Sequence, residues 1–313
     1  MKNTEFEGLW WGFLARALVF LLLASLLLAG CDRTKKQEMR IGIIKPSVDH
    51  LPLTHAHQTG QLSPNVKLVN FSSGWEVQEA LIAGRIDAAI MPFTYAWNAA
   101  SLGYPLRIVS HFELETDAIV VPSNIGSFAE LNEARIGLLK ASTLEILFID
   151  WARERGIIYD PVYFRTPNEM IAALEGGDVD AIVIYEPLIQ KLPALFKVLH
   201  YFKADYPSHP CCDFVINVSG LSQQRRDEYR KLLDSVKYSQ EAASRAESEL
   251  LDLAARLYGL DRQQAKNALA NTGYMTGLSE AGMAFERKMT GMAIELGYQY
   301  RELEDSEIFL KLE

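Results

Sequence analysis

The chain has 313 residues and a formal net charge of −9, from 40 acidic against 31 basic side chains. An acidic body excludes nucleic acid as a partner, because that binding rests on clustered Lys and Arg. Cys31, Cys211 and Cys212 are the only cysteines, which leaves no spaced four-ligand zinc cluster.

The first element in chain order is apolar. "ALVFLLLASLLLAG", from Ala17 to Gly30, is too short for a comfortable membrane span and reads as a targeting segment. It ends in Leu28-Ala29-Gly30-Cys31, and small residues before a cysteine match the lipobox of bacterial lipoproteins. Residues 1–31 are therefore expected to be a signal peptide, cut before a lipidated Cys31. Lys2 and Arg16 are offset by Glu5 and Glu7, so the start is not clearly positive, and an uncleaved anchor helix is the alternative. Both tether the remainder outside the cytoplasmic membrane, in the periplasm. Asp32 resembles the inner-membrane retention signal of Gram-negative lipoproteins. Residues 32–38 read as a linker.

"MRIGIIKPS" then reads as a buried strand ending at Pro46. A repeat follows. "EALIAGRIDAAIMPFTYA" from Glu79 and "AALEGGDVDAIVIYEPLIQ" from Ala172 align Leu81 with Leu174, Gly84 with Gly177, and Asp87 with Asp180. Each copy says helix, glycine stop, turn with Asp, buried strand. Ser73 with Glu76, and Thr166 with Glu169, fit capping boxes at the helix starts, and Ser142 with Glu145 adds a third after "ARIGLL". Such units predict an α/β chain of two lobes, each with a mostly parallel sheet, around a cleft. Lobe 1 is expected over 39–122 plus 206–313 and lobe 2 over 123–205.

Ligands of open α/β sheets sit beyond the carboxyl ends of the strands, where helix N-termini offer free N–H groups. This selects Lys45 to His50, Phe71 to Trp75, Pro92 to Tyr95, Lys140 to Thr143, and Tyr185 to Pro187. From Leu221 onward the chain is charged, alanine-rich and helically periodic, and is expected to pack outside lobe 1, with Tyr274 able to reach the cleft.

"GIIKPSVDHLPLTHAHQTG", "VKLVNFSSGWEVQEALIAGRIDAAIM", "YEP" and "HPCC" resemble the periplasmic binding proteins of the nitrate, sulfonate and taurine ABC importers, which are related to thiamine-precursor binders. The resemblance covers roughly residues 39–220 and implies the type II periplasmic-binding-protein fold. It implies ligand contacts at Asp49, His50, Ser73, Trp75, Phe93, Thr94, Ser142, Thr143, Tyr185, Glu186, Cys211 and Cys212. The chain departs from nitrate binders at "LLKASTLE" and in the two cysteines after His209-Pro210, so the solute does not follow.

The implied function is a non-enzymatic, monomeric, lipid-anchored binding protein. It takes a small solute of the nitrate, sulfonate or taurine type to a permease and its ATPase. The alternatives are a binder of a thiamine-precursor pyrimidine or similar nitrogen heterocycle, and an enzyme on the same fold. No catalytic residue, cofactor or metal is expected: His55 and His57 share no helix face, and no G-x-S-x-G or phosphate loop occurs. Adjacent Cys211 and Cys212 can join only through a strained ring, so both are expected to be free thiols on the cleft wall, on opposite faces of a strand.

Overall fold

A computed structural model describes residues 38–312; the apolar run, Cys31 and nearly all of the expected linker lie outside them. Among the described residues no helix is long and apolar enough to cross a membrane.

The first sheet begins with β1 (Met39–Ile44), whose Ile41 and Ile43 are buried, as a strand covered on both faces requires. There follow α1 (Leu51–Gln58), β2 (Val66–Phe71), α2 (Gly74–Ile82), β3 (Ala88–Pro92), α3 (Phe93–Ser101) and β4 (Leu106–Leu114). The second sheet comprises β5 (Asp117–Pro122), β6 (Arg135–Leu139), β7 (Asp160–Phe164), β8 (Ala181–Tyr185) and β9 (Phe196–Tyr201). Its helices are α4 (Thr143–Glu154) and α5 (Pro167–Gly176). β10 (Pro210–Asn217) rejoins the first sheet, before α6 (Gln223–Ser244), α7 (Ser248–Tyr258), α8 (Arg262–Ala270), edge strand β11 (Gly273–Gly277), α9 (Glu280–Glu295) and α10 (Asp305–Ile308).

The six-stranded sheet has the order β11-β4-β10-β3-β1-β2 and the five-stranded sheet β7-β6-β8-β5-β9. Both are mixed. The strand–helix units form the parallel part, while β5 and β10, which carry the chain between sheets, run antiparallel to both neighbours. The first crossing falls between Leu114 and Asp117, not at Val121–Pro122, so residues 117–122 belong with the second lobe. β5 reads as a plain apolar strand, and nothing in it marks the sheet it joins. The return lies between Tyr201 and Pro210. The two crossings touch: Glu115 N–H donates to His209 O at 3.3 Å, and Ser208 N–H donates to the Glu115 carboxylate.

The repeat has a structural counterpart that sharpens it. Arg40 N–H donates to Asp87 Oδ2 at 2.7 Å and its guanidinium to Gly84 O at 3.0 Å. Arg135 does the same with Asp180 at 2.8 Å and Gly177 O at 2.8 Å. Gly84 and Gly177 have φ of 66° and 74°, the left-handed geometry a helix stop needs. The aspartate thus ties the helix end to an arginine at the start of the neighbouring strand, and the clamp recurs in each lobe.

Of the three predicted capping boxes, only Thr166–Glu169 closes reciprocally. Glu76 and Glu145 reach one residue further back, to the N–H groups of Ser72 and Ala141, while Ser73 and Ser142 still accept from the third helical residue. The C-terminal region differs from expectation too. α9 packs on both lobes: Trp97 Nε1 of α3 donates to Glu286 at 2.7 Å, and Lys288 pairs with Asp150 of α4 at 2.8 Å.

Candidate functional site

A cleft of about 640 Å³, its open mouth included, lies where the strand ends of the two sheets face each other. α2, α3, β4 and β10 wall one side; α4, the end of β7 and the end of β8 wall the other. Two hydrogen bonds join the walls: Tyr95 OH to Lys140 O and Thr143 Oγ1 to Cys211 O, each 3.3 Å.

Asp49, Ser73, Trp75, Ser142, Thr143, Tyr185, Cys211 and Cys212 line this cleft. His50, Phe93, Thr94 and Glu186 do not. His50 is buried behind Asp49, its Nδ1 2.9 Å from Asp49 Oδ1, and so orients that carboxylate. Phe93 turns into the core against Phe285, and Thr94 is buried one residue further along α3. Glu186 points away into a polar knot, accepting from Gln190 at 2.8 Å and from Tyr201 and Asn271 at 3.0 Å. Tyr274 is likewise outside the lining, its hydroxyl donating to Val48 O at 2.9 Å.

The floor is acidic and sulfur-rich. Asp49 and Glu113 are each 1% exposed, and Asp117 is buried beneath them, 3.5 Å from Cys211 Sγ and 3.4 Å from His209. Burial, then the charge of Asp117, push the Glu113 carboxyl well above the usual carboxylate range, although Thr116 and Cys211 hydrogen-bond to it. The hydrogen bond to Cys212, then burial, raise the Cys211 thiol; the same bond pulls Cys212 down, but burial together with the charges of Asp49, Glu113 and Asp117 outweighs it and raises that thiol as well. Both are therefore thiols at neutral pH.

Both cysteines line one cleft, contrary to strict alternation. The pairing of β10 with β4 slips between Pro210 and Cys212, and a bulge puts two successive side chains on one side. Sγ of each and a Glu113 carboxylate oxygen lie within 4.8 Å of one another. His209 is not in that group, since its Nδ1 faces Tyr206 O at 2.7 Å. His55 and His57 are separated as expected, bonded to Ser239 at 2.8 Å and Val66 O at 3.2 Å.

The rim has the opposite character. Trp75, 38% exposed, leans on Tyr95 with ring centroids 4.8 Å apart. Lys140 lies 5.6 Å and 5.9 Å from the Tyr163 and Tyr298 rings, and Arg165 is exposed beside Phe164. Ser142 Oγ caps α4 and donates to Leu139 O at 2.6 Å, which holds the helix start toward the cleft. Glu113, Thr116, Phe164 and Arg165 escaped the sequence reading. Glu113 ends a strand with no helix after it, so no capping signal marks it. Arg165 directly precedes the Thr166 cap, and that box could have revealed it.

The match to known proteins agrees with this architecture. Residues 32–256 match the NMT1-like family. A Bacillus subtilis protein named as an aliphatic sulfonates-binding protein is 26% identical over 283 residues, 82% of each chain. Its Escherichia coli namesake is 28% identical over 185 residues, 55% of this chain and 58% of that protein. Among solved structures, the aliphatic sulphonate binding protein SsuA of Escherichia coli superposes with a TM-score of 0.76 at 20% identity, covering 88% of this chain and 93% of that one. SsuA of Xanthomonas axonopodis pv. citri, bound to MOPS, gives 0.76 at 20% identity over 88% and 99%. These named relatives are binding proteins, and the fold is that of periplasmic binding proteins, two lobes around a ligand cleft. The family match spans well over half the chain, from the residue after Cys31 into α7, and this protein belongs to the NMT1-like family.

Proposed function

We propose that this protein is the solute-binding component of an ABC importer, a receptor without catalytic activity that captures a small solute of the sulfonate type and hands it to a membrane permease. The observation that carries this reading is the two-walled cleft, with hydrogen bonds running directly from one lobe to the other beside a helix start capped by Ser142. A helix N-terminus supplies N–H groups and a positive dipole end to an oxyanion. Lys140 and Arg165 at the rim add positive charge on the same side. The naming of the relatives supports the sulfonate class. In this reading the protein acts as a monomer in the periplasm, held by a lipid on Cys31 and retained at the inner membrane by Asp32. Closure is a rotation of residues 117–201 against the rest about the paired crossings.

Thermal shift against a panel of alkanesulfonates tests the reading. A ligand at a hundred times its dissociation constant stabilises the folded form by about 2.7 kcal/mol. A rise in Tm with at least one sulfonate is expected; none across the panel overturns the solute-binding assignment.

A further inference from the structure

His111 of β4, Asp213 of β10 and Glu286 of α9 meet between the first sheet and α9, away from the cleft lining, and all three are fully buried. The pairing of β4 with β10 sets His111 opposite Asp213. His111 Nδ1 lies 3.3 Å from Asp213 Oδ1 and 3.1 Å from Glu286 Oε1. A ring nitrogen directs a single proton or lone pair in the ring plane, so it cannot serve two carboxylates equally. It bonds Asp213, and Glu286 Oε1, Asp213 Oδ2 and His111 Nε2 are left buried without a hydrogen bond. Among the described residues, neither carboxylate is paired with Lys or Arg. Two buried carboxylates around one imidazole are short of positive charge, which is costly.

We propose that His111, Asp213 and Glu286 form a structural zinc site that fastens α9 to the first sheet. Zinc held by nitrogen and oxygen at about 2.1 Å sets tetrahedral donors about 3.4 Å apart. The two spacings to His111 Nδ1 are close to that, and the three donor atoms already lie within 4.8 Å of one another. Asp213 Oδ2, which has no other partner, can complete the coordination by making that carboxylate bidentate. Trp97 Nε1 donates to Glu286 Oε2 at 2.7 Å, the kind of outer hydrogen bond that orients a ligating carboxylate. The Phe309 ring packs against both His111 and Trp97 and keeps the group in an apolar shell. An imidazole with two carboxylates suits zinc, whereas calcium and magnesium call for about six oxygen donors. The charges balance, since a divalent ion with neutral His111 and two carboxylates sums to zero. Without the ion, neutrality falls to protons: against the cost of burial, Asp213 and Glu286 keep one on His111, and burial keeps another on Glu286. The three ligands come from two strands and a helix, so no local spacing announces them in the sequence.

The test is metal analysis of the full chain, produced with added zinc, passed through gel filtration and measured by plasma mass spectrometry. Zinc at one per chain is expected in the wild type. The double variant Cys211→Ser/Cys212→Ser, which dismantles the sulfur group of the cleft, should still hold it. Competition with a coloured chelator should show zinc binding weakened at least about 10- to 100-fold in Asp213→Asn and in Glu286→Gln, the loss that follows removal of even an outer partner. One equivalent of cobalt(II) in the wild type reads the donors without any substitution, so the outcome does not hang on whether a ligand variant folds. Tetrahedral d–d bands with no thiolate charge transfer are expected. A thiolate band, a wild type or double cysteine variant without zinc, or zinc affinity unchanged in both ligand variants overturns the proposal.

Discussion

Gly74, the first residue of α2, is the position where the smallest perturbation should have the largest effect on the cleft. A Cβ built there would lie 2.1 Å from Tyr95 Cε2 and 2.6 Å from Cδ2. Carbon atoms settle at roughly 3.5–4.0 Å, so the ring must retreat by more than an ångström. Tyr95 has little room to do so: it is 4% exposed, leans on Trp75, and its hydroxyl bonds the opposite wall at Lys140 O. Overpacking of this kind costs about 1–3 kcal/mol. At roughly 2–4 °C per kcal/mol for a chain of this size, Gly74→Ala should lower Tm by about 2–12 °C. The same substitution at Gly291, exposed in α9 with nothing within 4 Å of a built Cβ, removes only a helix-interior glycine and should stabilise by roughly 0.5–1 kcal/mol. Differential scanning calorimetry of the two variants gives opposite signs if the reasoning holds. A Gly74→Ala protein with wild-type Tm and wild-type solute affinity would refute it, since Tyr95 would then have moved without consequence for packing or for the cleft.

Ser142→Ala should destabilise by about 1 kcal/mol through the lost cap of α4, read by chemical denaturation, and should weaken solute binding as well. Stability should fall as pH rises from about 5 to 10. His111, held by Asp213 and Glu286, has its affinity for protons raised to a pKa of about 10 against the cost of burial, and burial with Asp213 nearby raises Glu286 to about 8. Both groups bind protons more tightly folded than unfolded, so their contributions are complete at low pH and are lost through these values. Glu286→Gln should flatten the acidic half of the Tm profile, whereas a Tm rising over that range would contradict the assignment. Alkylation of the non-reduced native protein, followed by mass spectrometry, should find Cys211 and Cys212 as thiols that react slowly; a vicinal disulfide in most molecules would refute this. Metabolic labelling with a fatty-acid analogue should mark the wild type and not Cys31→Ser, and equal labelling of both would remove the lipid anchor.

The sequence made the lobes legible because each is built on one local unit. Gly84 with Asp87, and Gly177 with Asp180, are readable without a structure, since a helix stop and a strand start sit within a few residues. The crossing at Glu115–Thr116 was not readable. It depends on which sheet adopts β5, and pairing across long separations leaves no local mark. The same distinction divides the site. Ser73, Ser142 and Thr143 were found through helix starts, a short-range signal. Glu186 and His50 were misplaced because a residue just past a strand or at a helix start can face the cleft or turn its back to it, and tertiary partners such as Asn271 and Tyr258 decide which. Cys211 and Cys212 were expected on opposite faces, and a bulge invisible in the sequence brought them together.

The place of β10 in its sheet has a consequence for how the chain comes into being. It lies between β4 and β3, yet it is made only after every strand of the second sheet. A nascent chain therefore holds the first sheet as three paired strands, β3, β1 and β2, apart from a lone β4, while the inserted lobe, whole by Tyr201, is free to fold. The docking of β10 then closes a loop as long as a small domain, a slow kind of step. Until that happens the inner edges of β3 and β4, including Ala89, Ile90 and Ile108, stand open as templates for pairing with another chain. Chains ending before Pro210 should aggregate, and those extending past Asn217 should carry both edges sealed.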